Sequence, residues 1–310
     1  MSQQSLRAAR VIDPILTAVA QGYTNNEMVG VNLFPTVSVA ARAGTVIKFG
    51  KEDFLLYNTR RAPGQNTKRI QFGRGDGKFA LADYSLEGAV PIEIEEESSA
   101  VPGIDEGSRA VRKVQNIMAL GVEYEQASLA RDASQYGADN KLTVAAGDKW
   151  TVADSDPINM VSDGIEAIRA KIGKRPNTAV IGAKVFKALK VHPQILDRIK
   201  YTGRDVPTRE LLASLFEIDK LFVGEAVFST DGKTLTDVWG GDVVLAHTEI
   251  SSLADQGSPS YGYTYQLDGY SIVEQPYYDR NSKTWYYPVT DAREAQLVGP
   301  DAGYLLKGAV

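Results

Sequence analysis

IDEGSRAVRKVQNIMALGVEYEQASLARDASQYG, residues 104–137, is the stretch whose reading decides the fold. It predicts one long helix. Asp105 or Ser108 caps its start, and Glu106 places negative charge at the positive end. Ala110, Val114, Ile117, Gly121 and Tyr124 recur at steps of four and three, and Val111, Met118 and Val122 widen that stripe. Arg109, Arg112, Lys113, Gln115 and Asn116 fall mostly off it, and Gly137 is the expected stop. At about 1.5 Å per residue, some thirty residues make a rod of roughly 45 Å, long for a globular helix. Such a rod is either a core helix or a spine carrying lobes on both sides, so the flanks decide.

Downstream, the chain alternates. Asp156-Pro157 opens a helix with Ile158, Val161, Ile165, Ile168 and Ile172 inward and Gly173 at its end. Thr178–Ile181 reads as a buried strand, Ala183–Leu189 as a helix, and His192-Pro193 as a restart carrying Ile195, Leu196 and Ile199. Thr208 caps another helix, and strands are expected at Leu221–Phe228, Thr236–Trp239 and Val243–His247. This is a compact α/β lobe. From Gly262 the chain is aromatic and strand-like. Asp279-Arg280-Asn281-Ser282 is expected as the turn between Ile272–Tyr278 and Thr284–Val289, with aromatic cross-strand pairs.

Upstream, residues 1–40 read as an extended arm. It has one short helical stripe around Pro14 (Val11, Ile15, Ala18, Val19) and an edge strand suggested by the alternation of Val31, Leu33, Val37 and Val39, interrupted by Pro35. Little in the neighbouring sequence offers such an arm burial. Residues 41–92 read as a long hairpin with strands near Thr45–Phe49 and Lys68–Phe72 and few large apolar residues at its tip. Loops of that length are usually functional or ordered by a partner. Val90–Glu97 is expected as a strand with Ile92 and Ile94 on one face and Glu93, Glu95 and Glu97 on the other.

Charge is unevenly placed. The 310 residues carry a net −5, 43% hydrophobic and 24% charged, as in a folded soluble chain without general affinity for nucleic acid. Yet Arg42–Lys78 holds nine Lys or Arg against three acids, and Asp83–Glu106 holds eight acids and no base. There is no cysteine, so disulfides, thiolate metal sites and cysteine nucleophiles are excluded. No apolar run approaches the roughly 18 residues of a membrane span, and Met1–Arg10 lacks the apolar core of a secretory signal.

Signals of catalysis are weak. His192 and His247 are the only histidines, far apart, and are read as structural or surface residues. Gly73–Lys78 fails as a phosphate loop: Phe72 stands at the first glycine position, and Phe79 where Ser or Thr should bind Mg²⁺. The Arg-Gly-Asp within it reads as a turn. Glu93, Glu95, Glu96 and Glu97 lack the glycine and asparagine of a calcium loop and read as a solvated or partner-facing surface. No G-x-S-x-G elbow is present. No catalytic, cofactor-binding or metal-ligating residue is assigned.

The sequence resembles the tailed-phage major capsid proteins of the HK97-like fold. Arg61-Ala62-Pro63-Gly64 is similar to the tip of that family's E-loop. Ile165-Glu166-Ala167-Ile168, Arg175-Pro176-Asn177-Thr178-Ala179-Val180-Ile181-Gly182, Val185-Phe186-Lys187-Ala188-Leu189, His192-Pro193 and Ile195–Tyr201 resemble the start of its A-domain, continued by Leu221-Phe222-Val223-Gly224 and Val238-Trp239-Gly240. The resemblance covers most of the chain and implies an α+β capsid fold. Its parts would be an N-terminal arm (1–40), an extended E-loop β-hairpin (41–92), a P-domain with the spine helix (93–152), an α/β A-domain (153–262) and a β segment returning to both (263–310).

By resemblance, the function expected is a non-enzymatic shell subunit. It would form hexamers and pentamers of an icosahedral head enclosing double-stranded DNA without reading its sequence. Partners would be many copies of itself, a portal, and separate scaffold or decoration proteins, with no membrane and no cofactor. Only about 104 residues precede the spine, which leads us to expect a separate scaffold or none. The family's lysine–asparagine crosslink is not matched at both partners. Candidate interface residues are Arg60, Arg61, Lys68 and Arg69 in the loop, and Glu93, Glu95, Glu96 and Glu97 before the spine. The competing readings are an encapsulin-like nanocompartment shell of the same fold and an α/β enzyme.

Overall fold

The computed structural model describes residues 12–21, 28–46, 60, 77–99, 105–200, 207–249 and 260–310. Its spine is a helix over Glu106–Ala130. Asp105 caps it, accepting the N–H groups of Gly107 (3.1 Å) and Ser108 (3.2 Å) and the Ser108 hydroxyl. The Ser108 hydroxyl and these amides hold the Asp105 carboxyl below the ordinary range. Asp105→Ala is expected to cost about 1 kcal/mol, read as a lower urea midpoint. Because the native pKa is depressed, that margin is present above the unfolded carboxyl's pKa and is lost as pH falls through the native value.

The far end of the spine differs from expectation. The helix stops at Ala130, before Gly137. Asp132 accepts the N–H of Ser134 at 2.9 Å, a local turn that competes with the helical ladder. The inward face differs too. Val111, Val114, Ala127 and Ala130 are buried, but Ile117 is 52% and Tyr124 46% exposed, and Gly121 faces outward. Polar Gln115, Glu123 and Gln126 take the inward positions. They do so because partners await them: Gln115 donates to Ser271 Oγ (2.8 Å) and Gln126 to Thr264 Oγ1 (2.9 Å).

On one side of the spine lies a six-stranded sheet built around β14, Thr284–Leu297. β14 pairs antiparallel with β4 (Ala82–Pro91), β11 (Gly262–Leu267), β12 (Ile272–Val273) and β13 (Tyr277–Asp279). The expected aromatic hairpin is present: Tyr277 stacks on Tyr286 at 5.3 Å and Tyr278 meets Trp285 at 5.4 Å. Val90, Val111, Val114, Val273, Tyr287 and Val289 fill the space between sheet and spine, with Leu16 and Ala20 from helix α1, Pro14–Gln21. A stem of two strands, β2 (Ala43–Val46) and β3 (Gly77–Ala80), starts the predicted hairpin. The rest of that hairpin, including Phe54–Tyr57 and the tip at Arg61–Gly64, lies outside the described residues.

The arm is less detached than its sequence suggests. β1, Thr36–Val39, is an edge strand as expected, but it pairs in parallel with β11. Leu33 and Phe34 are fully buried, Phe34 against the ring of Tyr261 at 5.3 Å. Leu33 belongs to the alternating run, but the ring that covers Phe34 is more than 200 positions away in sequence, so no local pattern announced it.

The acidic run is not a strand. β4 ends at Pro91, and Ile92–Ser99 forms helix α2. Pro91 has no N–H to continue a ladder, and the Ile92 N–H is taken by the Lys283 carbonyl at 3.0 Å. As a strand, Glu93, Glu95 and Glu97 would share one face and repel. As a helix, Glu95 turns away from Glu93 and Glu97, which stay neighbours at i and i+4, and Glu93 and Glu95 sit in the favourable first turn.

Toward the C-terminal end of the spine, where Ala127 and Ala130 join its core, lies a five-stranded sheet. It is ordered β5 (Lys141–Thr143), β15 (Gly303–Lys307), β10 (Val243–Ala246), β6 (Thr178–Gly182) and β7 (Lys220–Gly224). Helix Pro157–Ile172 packs on it, capped by Asp156 and closed by Gly173 at φ 67°, as the sequence predicts. The expected strand Leu221–Phe228 breaks after Gly224 and resumes only at Val227–Phe228. β15 lies inside this sheet, between β5 and β10, so the C-terminal segment belongs to both lobes. Gly182 is required where β6 ends, since a Cβ there would lie 1.9 Å from the Gly240 carbonyl oxygen.

Candidate functional site

The spine's middle is tied to both flanks by one carboxylate. Glu123 is 1% exposed. Its Oε1 accepts the N–H of Val29 (3.1 Å) and the indole N–H of Trp239 (2.6 Å), and its Oε2 accepts the N–H of Gly30 (2.8 Å). Three separate stretches, the arm, the spine and the turn before β10, therefore meet on one side chain. A Cβ on Gly30 would lie 2.8 Å from Glu123 Oε2, so the arm approaches closely because residue 30 is glycine. Burial raises the Glu123 pKa; the Trp239, Gly30 and Val29 donors oppose that and only partly offset it.

Two further ionic ties frame this knot. Arg131, just past the spine, donates to Asp242 (2.6 Å) and to the Val238 carbonyl (2.6 Å). Asp242 in turn accepts the Gly308 N–H (2.8 Å), bringing in the C-terminal segment. On the sheet side, Arg293 has a side chain only 5% exposed, pairs with Glu125 at 2.8 Å and lies 4.1 Å over the Tyr84 ring. The sequence reading named Val238 and Trp239 only as part of a strand and of the family resemblance, and gave none of these groups a tying role. The available signal was polar residues at spacings of eight and three (Gln115, Glu123, Gln126) on a face otherwise read as surface.

The histidines hold structure together. His192 is buried and its Nδ1 accepts the Gln194 N–H at 3.3 Å, which leaves the proton on Nε2. Ser155 Oγ lies 3.1 Å from that Nε2 but gives its own proton to the Val152 carbonyl at 2.8 Å. The pair lacks a free base and cannot act as a nucleophilic dyad. His247 Nδ1 sits 2.9 Å from the Arg175 carbonyl. Among the described residues, no cluster of three or more His, Asp or Glu could hold a metal, and no helix is long and apolar enough to cross a membrane.

The surface carries the rest. Glu93, Glu96 and Glu97 are exposed on α2, with Glu95 half-buried and Ile94 exposed beside them. Arg60 is exposed; Arg61, Lys68 and Arg69 lie outside the described residues. Where the basic and acidic blocks adjoin, Arg42 pairs with Asp83 at 2.7 Å within the chain. Along the spine, Ile117 and Tyr124 form an outward apolar line, and a groove of about 400 Å³ runs between the spine and β4. Among the described residues, the geometry offers broad faces for protein contact and no convergent reactive centre.

Comparison with known proteins agrees. A family model described as phage major capsid protein E matches residues 114–249. The major capsid protein of Burkholderia phage BcepMu is 38% identical over 307 residues, covering 98% of each chain. A phage-related protein of Bordetella bronchiseptica RB50 is 43% identical with a TM-score of 0.83, covering 97% of this chain and 98% of its own. The mature capsid of bacteriophage PhiM1, at 12% identity, aligns over 92% of this chain and 88% of its own with a TM-score of 0.54, a likeness of fold alone. A spine helix packed on a six-stranded sheet, a second sheet lobe at its far end and 38% identity to a capsid protein over nearly the whole of both chains lead to one conclusion: the chain belongs to the phage major capsid protein family and has the HK97-like fold.

Proposed function

We propose that this chain assembles as hexamers and pentamers into an icosahedral head that encloses double-stranded DNA, inside the host cell. The observation that carries this is 38% identity, over 98% of both chains, with a phage major capsid protein. Residues 1–40 serve as the arm, 41–92 as the E-loop, 93–152 as the P-domain, 153–262 as the A-domain and 263–310 as the returning strands. A portal and separate scaffold or decoration proteins complete the head. The role is structural, and DNA is held by enclosure: a net −5 chain has no general electrostatic affinity for it.

The split between a basic loop and an acidic helix supports contact between copies. Arg60, Arg61, Lys68 and Arg69 of one copy meet Glu93, Glu95, Glu96 and Glu97 of the next. Each exposed pair contributes only about 0–1 kcal/mol. Repeated over a shell, contacts that weak suffice, and they let misplaced subunits leave. Particles purified from phage-producing cells are expected to hold nuclease-protected double-stranded DNA. Particles filled with a protein cargo and free of DNA would instead indicate a nanocompartment.

A further inference from the structure

The first half of the spine is polarised across its width. Val111 and Val114 pack on the six-stranded sheet, while Arg109, Arg112 and Lys113 lie on the far side of the helix and are exposed. These three are the spine's only exposed charged residues. Glu123 is buried, and the half-buried Glu106 and Glu125 are paired with Arg109 (3.2 Å) and Arg293 (2.8 Å). Among the described residues, no carboxylate lies within salt-bridge distance of Arg112 or Lys113, although Arg112 acts on the capping Asp105 from farther away.

Within the lone subunit this placement is unfavourable. Arg109 stands in the first turn, at the positive end of the helix, where acids are preferred. Arg112 and Lys113 follow it at i+3 and i+4, so like charges sit side by side. The far face of the sheet has the opposite sign. Tyr287 and Val289 of β14 point to the spine, so alternation puts Pro288 and Ala292 on the other face, with their β4 partners Glu87 and Asp83. Glu274 lies there too, 3.5 Å from Thr290 Oγ1, and Arg42 offsets Asp83. Spine and sheet together form a layer with cations on one side and acids on the other.

We propose that Arg109, Arg112 and Lys113 are the wall contact for the enclosed DNA, each meeting backbone phosphate, so that the spine side of this layer lines the lumen and the acidic side faces outward. This deepens the shell reading and rests on it. A net charge of −5 denies the chain a general affinity for nucleic acid, but not a local one. Arg109 and Lys113 are about 6 Å apart along the helix axis. A duplex carries a phosphate for roughly every 1.7 Å of its own axis, so any sequence in any register supplies partners. The contact therefore needs no base reading. Phosphate would also offset the repulsion that the three cations impose on one another. The acids of α2, which precede the spine, are met in that reading by the basic loop of the next copy.

Two measurements test this. Electron cryomicroscopy of DNA-filled particles of the unmodified chain should place residues 109–113 on the inner surface, in contact with the outermost layer of DNA. The double reversal Arg112→Glu, Lys113→Glu should leave the unfolding midpoint unchanged or raised, because each new acid then faces Arg109 at i,i+3 or i,i+4. It should still form shells, yet the ratio of DNA-filled to empty particles should fall about fivefold or more, because phosphate now meets like charge. Three results would overturn the proposal and leave the capsid reading intact: residues 109–113 on the outer surface, or covered by a protein chain that also takes in Ile117 and Tyr124; normal filling of the double variant; or a folded variant that forms no shells, which would make this face a contact between copies. Unmodified particles that never hold DNA would defeat the capsid reading itself, and this inference with it.

Discussion

Glu123→Ala is expected to lower the stability of the folded chain by about 3–4 kcal/mol. The substitution leaves three buried N–H donors, on Val29, Gly30 and Trp239, without an acceptor. One orphaned buried donor costs about 1–3 kcal/mol, and donors sharing a site add incompletely. Glu123→Gln should fall about halfway: its amide oxygen can still take two donors, but its NH₂ faces the third. Urea unfolding with an unchanged slope reads both.

The pH dependence has a definite sign. Burial raises the native pKa of Glu123 above its unfolded value. Its stability contribution is therefore greatest below the unfolded value and declines as pH rises through the native one. The wild-type margin over Glu123→Ala should widen on acidification from neutral pH. Variants as stable as wild type would show that the three-way knot does not hold arm, spine and A-lobe together.

The triple reversal Arg60→Glu, Arg61→Glu, Arg69→Glu is expected to abolish assembly while leaving the subunit folded. The loop's positive charge becomes negative and faces an acidic helix, so each attraction becomes a repulsion of similar size. A shell multiplies that change over every copy. Circular dichroism and unfolding midpoint should stay near wild type, and sedimentation should show no particles. Adding Glu93→Lys, Glu96→Lys and Glu97→Lys should recover part of the assembly. Normal particles from the triple mutant would refute pairing between loop and helix.

Much of the fold was legible because its signals are local. Asp105 and Asp156 announced helix starts, Gly173 a helix end, and the aromatic run from Tyr277 to Tyr287 its own hairpin. What stayed hidden was set by distant partners. Glu123 and Gln126 look like surface residues until residues 29–30, Trp239 and Thr264 arrive to receive them. Phe34 looks like arm until Tyr261 covers it. The Glu93–Glu97 run alternates well enough for a strand, and only Pro91 and the Lys283 carbonyl turn it into a helix. The sequence supplied the charge blocks, but not that β4 pairs with β14 along a single edge among the described residues, since that pairing joins stretches some 200 positions apart.

Electron microscopy of the purified, concentrated chain tests the central claim most directly. Closed icosahedral shells with six-fold and five-fold capsomers are the predicted result. A population that stays monomeric or forms only small open oligomers, under conditions where the fold is intact, would contradict it.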